Sequence, residues 1–341
     1  MATTRKIEVL TTIPFPETVM QKLRGLTPRV HLTLHPARKV EDIPAEVWKQ
    51  TEVLYTDILM PPHELVPNLK WLQFHYAGVD FIQGSDLLQK KDLRVTSMSG
   101  ASAIQEGEYI MMMLLGLGHH LPELAASQGK RDWPADRWER FTPVELFGST
   151  VGLVGYGSIG REVARLLQPF NVKVLAAKRD AMHPADEGYT IEGHGDPDGN
   201  YFHRLYPIEA LKSMLKECDF VVVSLPLTPA TRGLVGDEEF QAMKPGAFLV
   251  HVSRGGVVDE EALIQALNEK RLAGAAVDVF HQEPLPPTHP FWTTPNLILT
   301  PHVSGFSPRY KERAGEMFAE NLARYLHDEP LMNLYEPERY Y

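Results

Sequence analysis

Three charged side chains whose types suit acid–base chemistry lie in separate short segments of the second half of the chain. Arg254 lies in HVSRGGVVDE, Glu283 in GAAVDVFHQEPLP, and His302 in LTPHVSG. An arginine offers a planar fork of donors that suits a carboxylate and a neighbouring carbonyl oxygen. A histidine exchanges a proton near neutral pH, and a glutamate beside it would orient the imidazole and favour its protonated form. Each residue alone has an ordinary structural explanation, but together, after three predicted strands, they favour catalysis.

A glycine-rich loop at 151–167, VGLVGYGSIGREVARLL, connects a predicted strand to a predicted helix. Its glycines have the spacing G-x-G-x-x-G: Gly155 permits a tight turn, Gly157 lets backbone approach a pyrophosphate, and Gly160 allows close helix–strand packing. The helix N-terminus that follows offers N–H groups and a partial positive charge to phosphates. The alternative is a glycine-rich turn without a ligand. Because another strand follows the helix, we predict dinucleotide binding.

The end of the next predicted strand bears on which dinucleotide is bound. An acidic residue here would bond the ribose hydroxyls of NAD(H), but Lys178 and Arg179 occupy the position, followed by Asp180. Two cations favour a 2′-phosphate, so the sequence favours NADP(H) as the cofactor. Two alternatives stay open: both cations are solvated and neutral toward the choice, or Asp180 restores binding of NAD(H).

Short apolar runs that alternate with helical patterns predict an α/β fold with parallel sheets. Two long helices, from Ala103 to about Ser127 and from Pro308 to about His327, bracket the second series of strands, which has the size of a full dinucleotide-binding domain. The first of these helices is so apolar around 110–117 that we expect it to be buried on every side. The predicted strands lie at 7–10, 30–34, 52–56 and 71–75, and then at 150–155, 172–177, 219–225, 247–252, 274–280 and 297–300.

Composition and charge exclude several classes of partner. The 341 residues carry 34 Lys and Arg against 44 Asp and Glu, a formal net charge of −10, which argues against binding to nucleic acid or an anionic membrane. The single cysteine, Cys218, allows no internal disulfide. The N-terminus lacks the apolar core of a signal peptide, and no apolar run approaches the ~20 residues of a membrane span. We therefore expect a soluble, cytoplasmic protein of two domains that binds no metal.

With these motifs in order along nearly the whole chain, the sequence resembles the D-isomer-specific 2-hydroxyacid dehydrogenase family. That family includes glyoxylate/hydroxypyruvate reductases and D-lactate, D-3-phosphoglycerate, formate and phosphite dehydrogenases. The resemblance implies two Rossmann-like domains with parallel sheets: a discontinuous substrate domain, 1–100 and 301–341, and a nicotinamide dinucleotide-binding domain, 101–300. It also implies a homodimer. It rests on the glycine loop, the three segments above, FHYAGVD at 74–80, SLPLTPATRGLV at 224–235 and HPFWTTPNLILTPH at 289–302.

The resemblance also implies roles for individual residues. Arg254, Glu283 and His302 would be the catalytic set of a hydride transfer between NAD(P)H and a small 2-keto or 2-hydroxy acid. Asp278 would hold the nicotinamide carboxamide. The substrate carboxylate would be bound by Arg254, His302 and, from the other domain, backbone N–H groups of Ala77, Gly78 and Val79. The remaining residues expected to bind the cofactor are Tyr156, Ser158, Ile159, Leu225, Pro226, Thr231, Val252, Ser253 and Ser304, with Arg254 and His302.

Some features leave alternatives open. Residues 180–206 form a longer stretch than is usual in the family, and its His183–Gly199 part, rich in Gly, Asp and His, is expected to be a solvated loop or hairpin. Glu283 stands where formate dehydrogenases have glutamine, which favours keto-acid chemistry in the reductase direction. A nicotinamide-sensing regulatory protein resembling a corepressor is the alternative function. Tyr55, His75, Tyr76, Met98 and Trp292 are weak candidates for shaping the substrate pocket, because such residues more often belong to the core.

Overall fold

A computed structural model describes residues 5–186 and 188–339 of the chain. The chain separates into two compact units, one of which is Ala103–Phe306 and the other the two flanking pieces. The boundaries between the two units follow residues 102 and 306, which are two and six residues after the domain boundaries expected at 100 and 300. The shift places the segment that carries His302 in the same unit as the glycine-rich loop, and not in the C-terminal piece from 301 onward.

The first unit contains a parallel sheet covered on both faces. Over the described residues its order is β2-β1-β3-β4-β5. Every residue of the third and fourth strands is buried, as expected for inner strands between helical layers. The short fifth strand was not predicted. The elements are β1 (Ile7–Thr11), α1 (Glu17–Gly25), β2 (Val30–Leu34), α2 (Ala45–Gln50), β3 (Val53–Thr56), β4 (Trp71–Phe74) and β5 (Arg94–Thr96).

The second unit contains a larger parallel sheet. Its elements, in the part of the chain that is described, are α3 (Ala103–Gly118), α4 (Leu121–Lys130), α5 (Arg137–Arg140), β6 (Thr150–Val154), α6 (Ser158–Leu167), β7 (Lys173–Lys178), β8 (Arg204–Pro207), α7 (Leu211–Leu215), β9 (Phe220–Val223), α8 (Asp237–Ala242), β10 (Ala247–His251), α9 (Glu260–Asn268), β11 (Leu272–Val277) and β12 (Leu297–Leu299). The order is β12-β11-β10-β9-β6-β7-β8. The chain then returns to the first unit as α10 (Tyr310–Leu326), which packs on α1. The predicted fold class, two parallel-sheet α/β units, is confirmed.

Alternate residues along the strands of the second unit enter two separate cores. In β9, Val221 and Val223 belong to one apolar cluster, whereas Phe220 and Val222 belong to the other. β10 divides in the same way, so that both faces of the sheet are covered. This double burial is the physical reason for the nearly continuous apolar runs in the sequence.

Three expectations about the elements of the second unit are wrong. The sheet has a seventh strand, β8, which lacks a continuous apolar pattern because two of its four residues are exposed. The helix expected from Ala103 to about Ser127 is two helices, since His120 adopts a left-handed conformation with a φ of 55° before Pro122 starts α4. The apolar helix is also not buried on every side, because Met112 is 54% exposed.

Candidate active site

The loops that carry the candidate catalytic residues follow neighbouring strands of the second unit. Arg254 follows β10, Glu283 follows β11 and His302 follows β12. The order of strands reverses between β6 and β9, and ligands of open α/β sheets bind beyond the carboxyl ends of strands at such a reversal. The glycine-rich loop follows β6, so the topology brings all of these segments to one edge of one sheet.

Glu283 and His302 form a hydrogen-bonded pair. His302 Nδ1 lies 2.7 Å from Glu283 Oε2, and the other carboxylate oxygen accepts the backbone N–H of Phe280 at 2.9 Å. An ionised carboxylate only accepts hydrogen bonds, so Nδ1 carries the proton of this contact. With Nδ1 bonded to the carboxylate, Nε2 is the imidazole nitrogen that can exchange a proton with a ligand. In the structure, 43% of the His302 side chain is exposed.

The turn that carries Arg254 packs tightly against the loop that carries Glu283. An added Cβ at Gly255 would lie 1.9 Å from the carbonyl oxygen of Phe280, so only glycine fits this approach. Arg254 itself is half-buried, and one of its guanidinium nitrogens donates to the Ser253 carbonyl at 2.7 Å. The glycine after the arginine therefore determines how closely the two candidate catalytic segments meet.

A buried histidine contacts the turn that carries Arg254. His251, at the end of β10, is 3% exposed, and its Nδ1 lies 3.0 Å from Ser253 Oγ. Burial lowers the pKa of His251 to about 3, so the ring is neutral in the folded protein. This neutral ring joins the end of the strand to the turn that presents Arg254. Sequence reasoning missed His251, although its place three residues before Arg254 was a signal.

Asp278 lies in the interior of the second unit and not on its surface. Its side chain is 0% exposed, and its carboxylate accepts the backbone N–H groups of Val303 and Ser304, each at 2.9 Å. Asp278 therefore binds directly to the loop that carries His302. Its expected contact with the nicotinamide carboxamide stays a prediction.

The glycine-rich loop has the geometry of a phosphate cradle. Gly155 has a φ of 107°, and an added Cβ there would lie 2.8 Å from the Ser224 carbonyl oxygen. A Cβ at Gly160 would lie 2.3 Å from the Gly155 carbonyl oxygen, so both positions require glycine for packing. A Cβ at Gly157 meets no described atom, and no described side chain caps the start of α6 at Ser158. Open space in front of uncapped helical N–H groups fits a pyrophosphate.

The other residues expected to bind the cofactor differ in how far their side chains are buried. Leu225 and Pro226 are half-buried in a turn after β9, which Thr231 closes by donating to the Pro226 carbonyl at 2.6 Å. Ile159, like Ser158, is half-buried in the first turn of α6. Only the backbone is free to approach a ligand at the deeply buried positions, which are Tyr156, Val252, Ser253 and Ser304.

The two cations at the end of β7, Lys178 in the strand and Arg179 directly after it, have different surroundings. Lys178 Nζ donates to the carbonyl oxygens of His183 and Ala185, at 2.7 and 3.2 Å. Arg179 is exposed, and the Asp180 carboxylate lies 2.6 Å from His183 Nδ1. The ammonium of Lys178 is thus occupied by the loop that follows it, which separates its role from that of Arg179.

The stretch between β7 and β8, residues 179–186 and 188–203 where it is described, forms a loop, as expected for His183–Gly199, but Gly195 and Asp196 within it are buried. Arg161 in the first turn of α6 is 1% exposed, and its guanidinium donates to the carbonyl oxygens of Asp196 and Pro184. The Tyr156 hydroxyl donates to the Asp196 carboxylate at 2.6 Å, and burial raises the pKa of this tyrosine well above its ordinary value. Glu162 accepts the Gly195 N–H at 2.7 Å. Buried polar groups beside the glycine-rich loop therefore clamp this stretch to α6.

In the first unit, the segment expected to bind a carboxylate follows β4. Ala77 and Gly78 are half-buried, whereas Val79 is 2% exposed. His75, just before them, is 5% exposed, with its Nδ1 2.5 Å from the Tyr55 hydroxyl. Burial lowers the pKa of His75 to about 4, so its ring is neutral. The segment expected to bind a carboxylate therefore begins directly after a buried histidine that contacts the Tyr55 hydroxyl.

Two further features bear on the class of protein. Within residues 5–186 and 188–339, no group of three or more His, Cys, Asp or Glu side chains is arranged to hold a metal ion. None of the helices in those same ranges has the length and apolar character needed to cross a bilayer. Cys218 is buried, and burial raises the pKa of its thiol to about 12, which makes it unreactive.

Comparison with known proteins identifies relatives over most of the chain. Residues 111–304 match the family model described as D-isomer specific 2-hydroxyacid dehydrogenase, NAD binding domain. A glyoxylate reductase of Thermofilum pendens is 32% identical over 294 residues, which cover 86% of this chain and 81% of that protein. A D-3-phosphoglycerate dehydrogenase of Methanocaldococcus jannaschii is 29% identical over 296 residues, 87% of this chain, but this chain spans only 52% of that relative.

Solved structures agree with these sequence matches. A D-isomer specific 2-hydroxyacid dehydrogenase from Xanthobacter autotrophicus Py2, in complex with NADPH and MES, superimposes with a TM-score of 0.78. The match has 26% sequence identity and covers 99% of this chain and 100% of that one. The similarity therefore extends over both units.

Proposed function

Because the chain belongs to the D-isomer specific 2-hydroxyacid dehydrogenase family, we propose that it reduces a small 2-keto acid to the D-2-hydroxy acid with a nicotinamide cofactor. The observation that carries the proposal is the Glu283–His302 pair, 2.7 Å apart, at the sheet edge that also holds Arg254 and the glycine-rich loop. The name of the Thermofilum pendens relative, glyoxylate reductase, supports a small substrate such as glyoxylate.

In this reaction the bound nicotinamide supplies the hydride, and the protein supplies a proton and a site for the negative charge. Arg254 binds the carboxylate and the reacting carbonyl oxygen of the substrate. His302 donates its Nε2 proton to that oxygen while Glu283 holds Nδ1, which keeps the ring in one orientation. Backbone N–H groups of Ala77, Gly78 and Val79 bind the substrate carboxylate.

Gly157 and the first turn of α6 would hold the pyrophosphate of the cofactor. Open space at that glycine and the uncapped helix start support this placement. We assign the preference for NADP(H) to Arg179, whose side chain is exposed directly after β7. Asp278 is retained as a candidate contact of the carboxamide.

The enzyme works as a homodimer in the cytoplasm. Large apolar side chains are exposed from α3 up to the start of β6, and they support the dimer because exposed apolar surface marks protein–protein interaction sites. A second copy of the same segment would cover them in a two-fold interface. They are Met112, Leu121, Leu124, Trp133, Trp138 and Phe147, with exposed fractions from 41% to 82%. The alternative, a nicotinamide-sensing regulatory protein, is not favoured, since the relatives described above are named as enzymes.

The test is the loss of absorbance at 340 nm when the purified protein is mixed with glyoxylate, hydroxypyruvate, pyruvate or phenylpyruvate, each with NADPH and with NADH. We expect turnover, and we expect His302→Asn to lower kcat by about 10²–10⁴-fold, the usual contribution of a general acid. His327→Asn is the matched control, because His327 is exposed after the end of α10, in the unit that does not contain His302.

Cofactor binding is measured in parallel by the quenching of protein fluorescence. It should be unchanged in His302→Asn, so that the loss is assigned to chemistry. Wild-type protein that binds the cofactor but reduces none of the acids would overturn the proposed reaction. A His302→Asn variant that keeps most of the turnover would overturn the role of the histidine alone.

A further inference from the structure

His302 has a backbone conformation that its residue type disfavours. Its φ is 54°, in the left-handed region, where residues other than glycine are uncommon because Cβ approaches the backbone. Such a conformation persists only when surrounding contacts determine it, and it occurs often at functional sites. The loop from Thr300 to Gly305 must therefore contain, or be held by, groups that oppose relaxation of this residue.

Asp278 is the first of these groups. Its carboxylate accepts the N–H groups of Val303 and Ser304, the two residues after His302. The same carboxylate oxygen that binds Val303 also accepts the Thr300 hydroxyl at 2.5 Å. Three donors on a fully buried carboxylate thus join both sides of the histidine to one fixed point, and hydrogen bonds to an ionised acceptor are the strong ones.

Tyr109 of α3 extends this set of bonds. Its hydroxyl oxygen lies 2.6 Å from Thr300 Oγ1. Because the threonine proton is given to the Asp278 carboxylate, the tyrosine must be the donor to the threonine oxygen. Burial raises the pKa of Tyr109 to about 12, so the hydroxyl keeps its proton at neutral pH. The order of donors is therefore Tyr109 to Thr300 to Asp278.

A second contact joins α3 to the same loop. Gln105 Nε2 donates to the Gly305 carbonyl at 2.7 Å. Gln105 and Tyr109 are four residues apart and so lie on one face of the helix. The helix thus holds the beginning and the end of the loop, with His302 between the two contacts.

We propose that Tyr109, Thr300 and Asp278 are positioning residues that hold the His302 loop in its left-handed conformation and so keep Nε2 of the histidine aimed at the substrate. The inference rests on the proposed function, because it explains how the proton donor of that reaction is held. It gives Asp278 a task other than contact with the carboxamide, and it assigns a task to Tyr109 and Thr300, which sequence reasoning did not select.

The experiment compares Thr300→Val, Thr300→Ser and Tyr109→Phe with wild type. We expect Thr300→Val to lower kcat about tenfold or more, because a small misplacement of a catalytic group has a large effect on rate. The KM for the keto acid and the dissociation constant of NADPH should change less than about threefold. Thr300→Ser, which keeps the hydroxyl, should restore kcat, and Tyr109→Phe should fall between the two.

Tyr206→Phe is the matched control. Tyr206 also donates to a carboxylate, that of Glu217 at 2.9 Å, but it lies on β8 at the opposite edge of the sheet. The midpoint of thermal unfolding is recorded for every variant, so that a loss of folded protein is separated from a loss of rate. Asp278→Asn is added to compare the two roles of the aspartate. Loss of a positioning role would lower kcat. Loss of a carboxamide contact would weaken binding of NADPH but not of 2′-phospho-ADP-ribose, which has no nicotinamide.

The outcomes separate this inference from the proposed function. If wild type has no turnover with any acid, the proposed function fails, and the positioning role, which depends on it, fails with it. If wild type turns over and Thr300→Val keeps its kcat, the positioning role is wrong while the function stands. A loss of kcat in Thr300→Val that Thr300→Ser does not restore would also overturn the inference, since the hydroxyl would then not be responsible.

Discussion

At the residue scale, the two cations at the end of β7 show why residue type alone was insufficient. Lys178 and Arg179 are adjacent and have the same charge, and together they favoured NADP(H). Successive residues of a strand point to opposite faces, so only one of two neighbours faces a given side. The lysine is directed into the loop that follows, where it binds two carbonyl oxygens, and the arginine is exposed.

This difference yields a prediction about cofactor preference. We expect Arg179→Ala to raise the KM for NADPH about tenfold and to leave the KM for NADH nearly unchanged, since only NADPH has the 2′-phosphate. Tenfold corresponds to about 1.4 kcal/mol, within the usual range of a charged hydrogen bond. Lys178→Met is the comparison, and it should affect both cofactors alike. Equal effects of Arg179→Ala on both cofactors would contradict the assignment.

The structure brings two of the predicted catalytic residues together, but their local geometry was not predictable. That Glu283 lies beside His302 was expected, and the structure brings them to 2.7 Å. The left-handed φ of His302 and the burial of Asp278 were not expected. A loop conformation depends on which distant groups its polar atoms bind, and Tyr109 lies almost two hundred residues before Thr300.

At the element scale, α6 has two functions that a helix pattern does not reveal. Its start faces the open space at Gly157, and its first turn holds the 179–203 stretch through Arg161 and Glu162. Charged residues in a helix pattern normally indicate a solvated face, and here both are 1% exposed. The stretch was expected to be solvated because it is rich in Gly, Asp and His, and nothing in its own sequence indicates the buried partners on α6.

The clamp predicts coupling between stability and cofactor affinity. Tyr156→Phe removes the hydroxyl that donates to the buried Asp196 carboxylate, which should lower the free energy of unfolding by about 1–2 kcal/mol. We also expect NADPH and NADH to bind more weakly, both by a similar factor, because Tyr156 lies within the glycine-rich loop. Urea unfolding and fluorescence titration measure the two effects.

Tyr206→Phe serves as the control for this clamp as well. The acceptor of Tyr206, Glu217, is 41% exposed and can be solvated when the hydroxyl is lost, so a smaller loss of stability is expected. If Tyr156→Phe and Tyr206→Phe destabilised the protein equally, with no change in cofactor affinity, the stretch would not be coupled to the glycine-rich loop.

At the scale of the whole molecule, the apolar surface between α3 and β6 is the feature with the clearest consequence. Met112 lies on α3, and the opposite side of this helix packs in the core. The helix sequence is therefore apolar all around because apolar residues occupy both the core side and the exposed side that carries Met112. The expected burial on every side is wrong for the single chain, because Met112 is 54% exposed. The proposed homodimer would cover this side chain.

We therefore expect Met112→Glu to shift the protein from dimer to monomer at micromolar concentration, since a charge buried without a partner strongly opposes association. Sedimentation equilibrium measures the mass of each form. Met182→Glu introduces the same charge at a methionine that is 84% exposed in the 179–203 stretch, and it should leave the dimer intact. A monomeric wild type would contradict the proposal.

Local patterns were enough to predict the fold class, and to place the glycine-rich loop and the three candidate catalytic segments after strands of one sheet. Each depends on a period or a spacing within a few residues, and the carboxyl ends of parallel strands necessarily meet at one edge of a sheet. The break between α3 and α4, the strand β8, the clamp on Arg161 and the hydrogen bonds that hold His302 depend on contacts between distant segments. Such contacts satisfy buried polar groups, and their partners are known only when the chain is folded, which is why they appeared in the structure and not in the pattern.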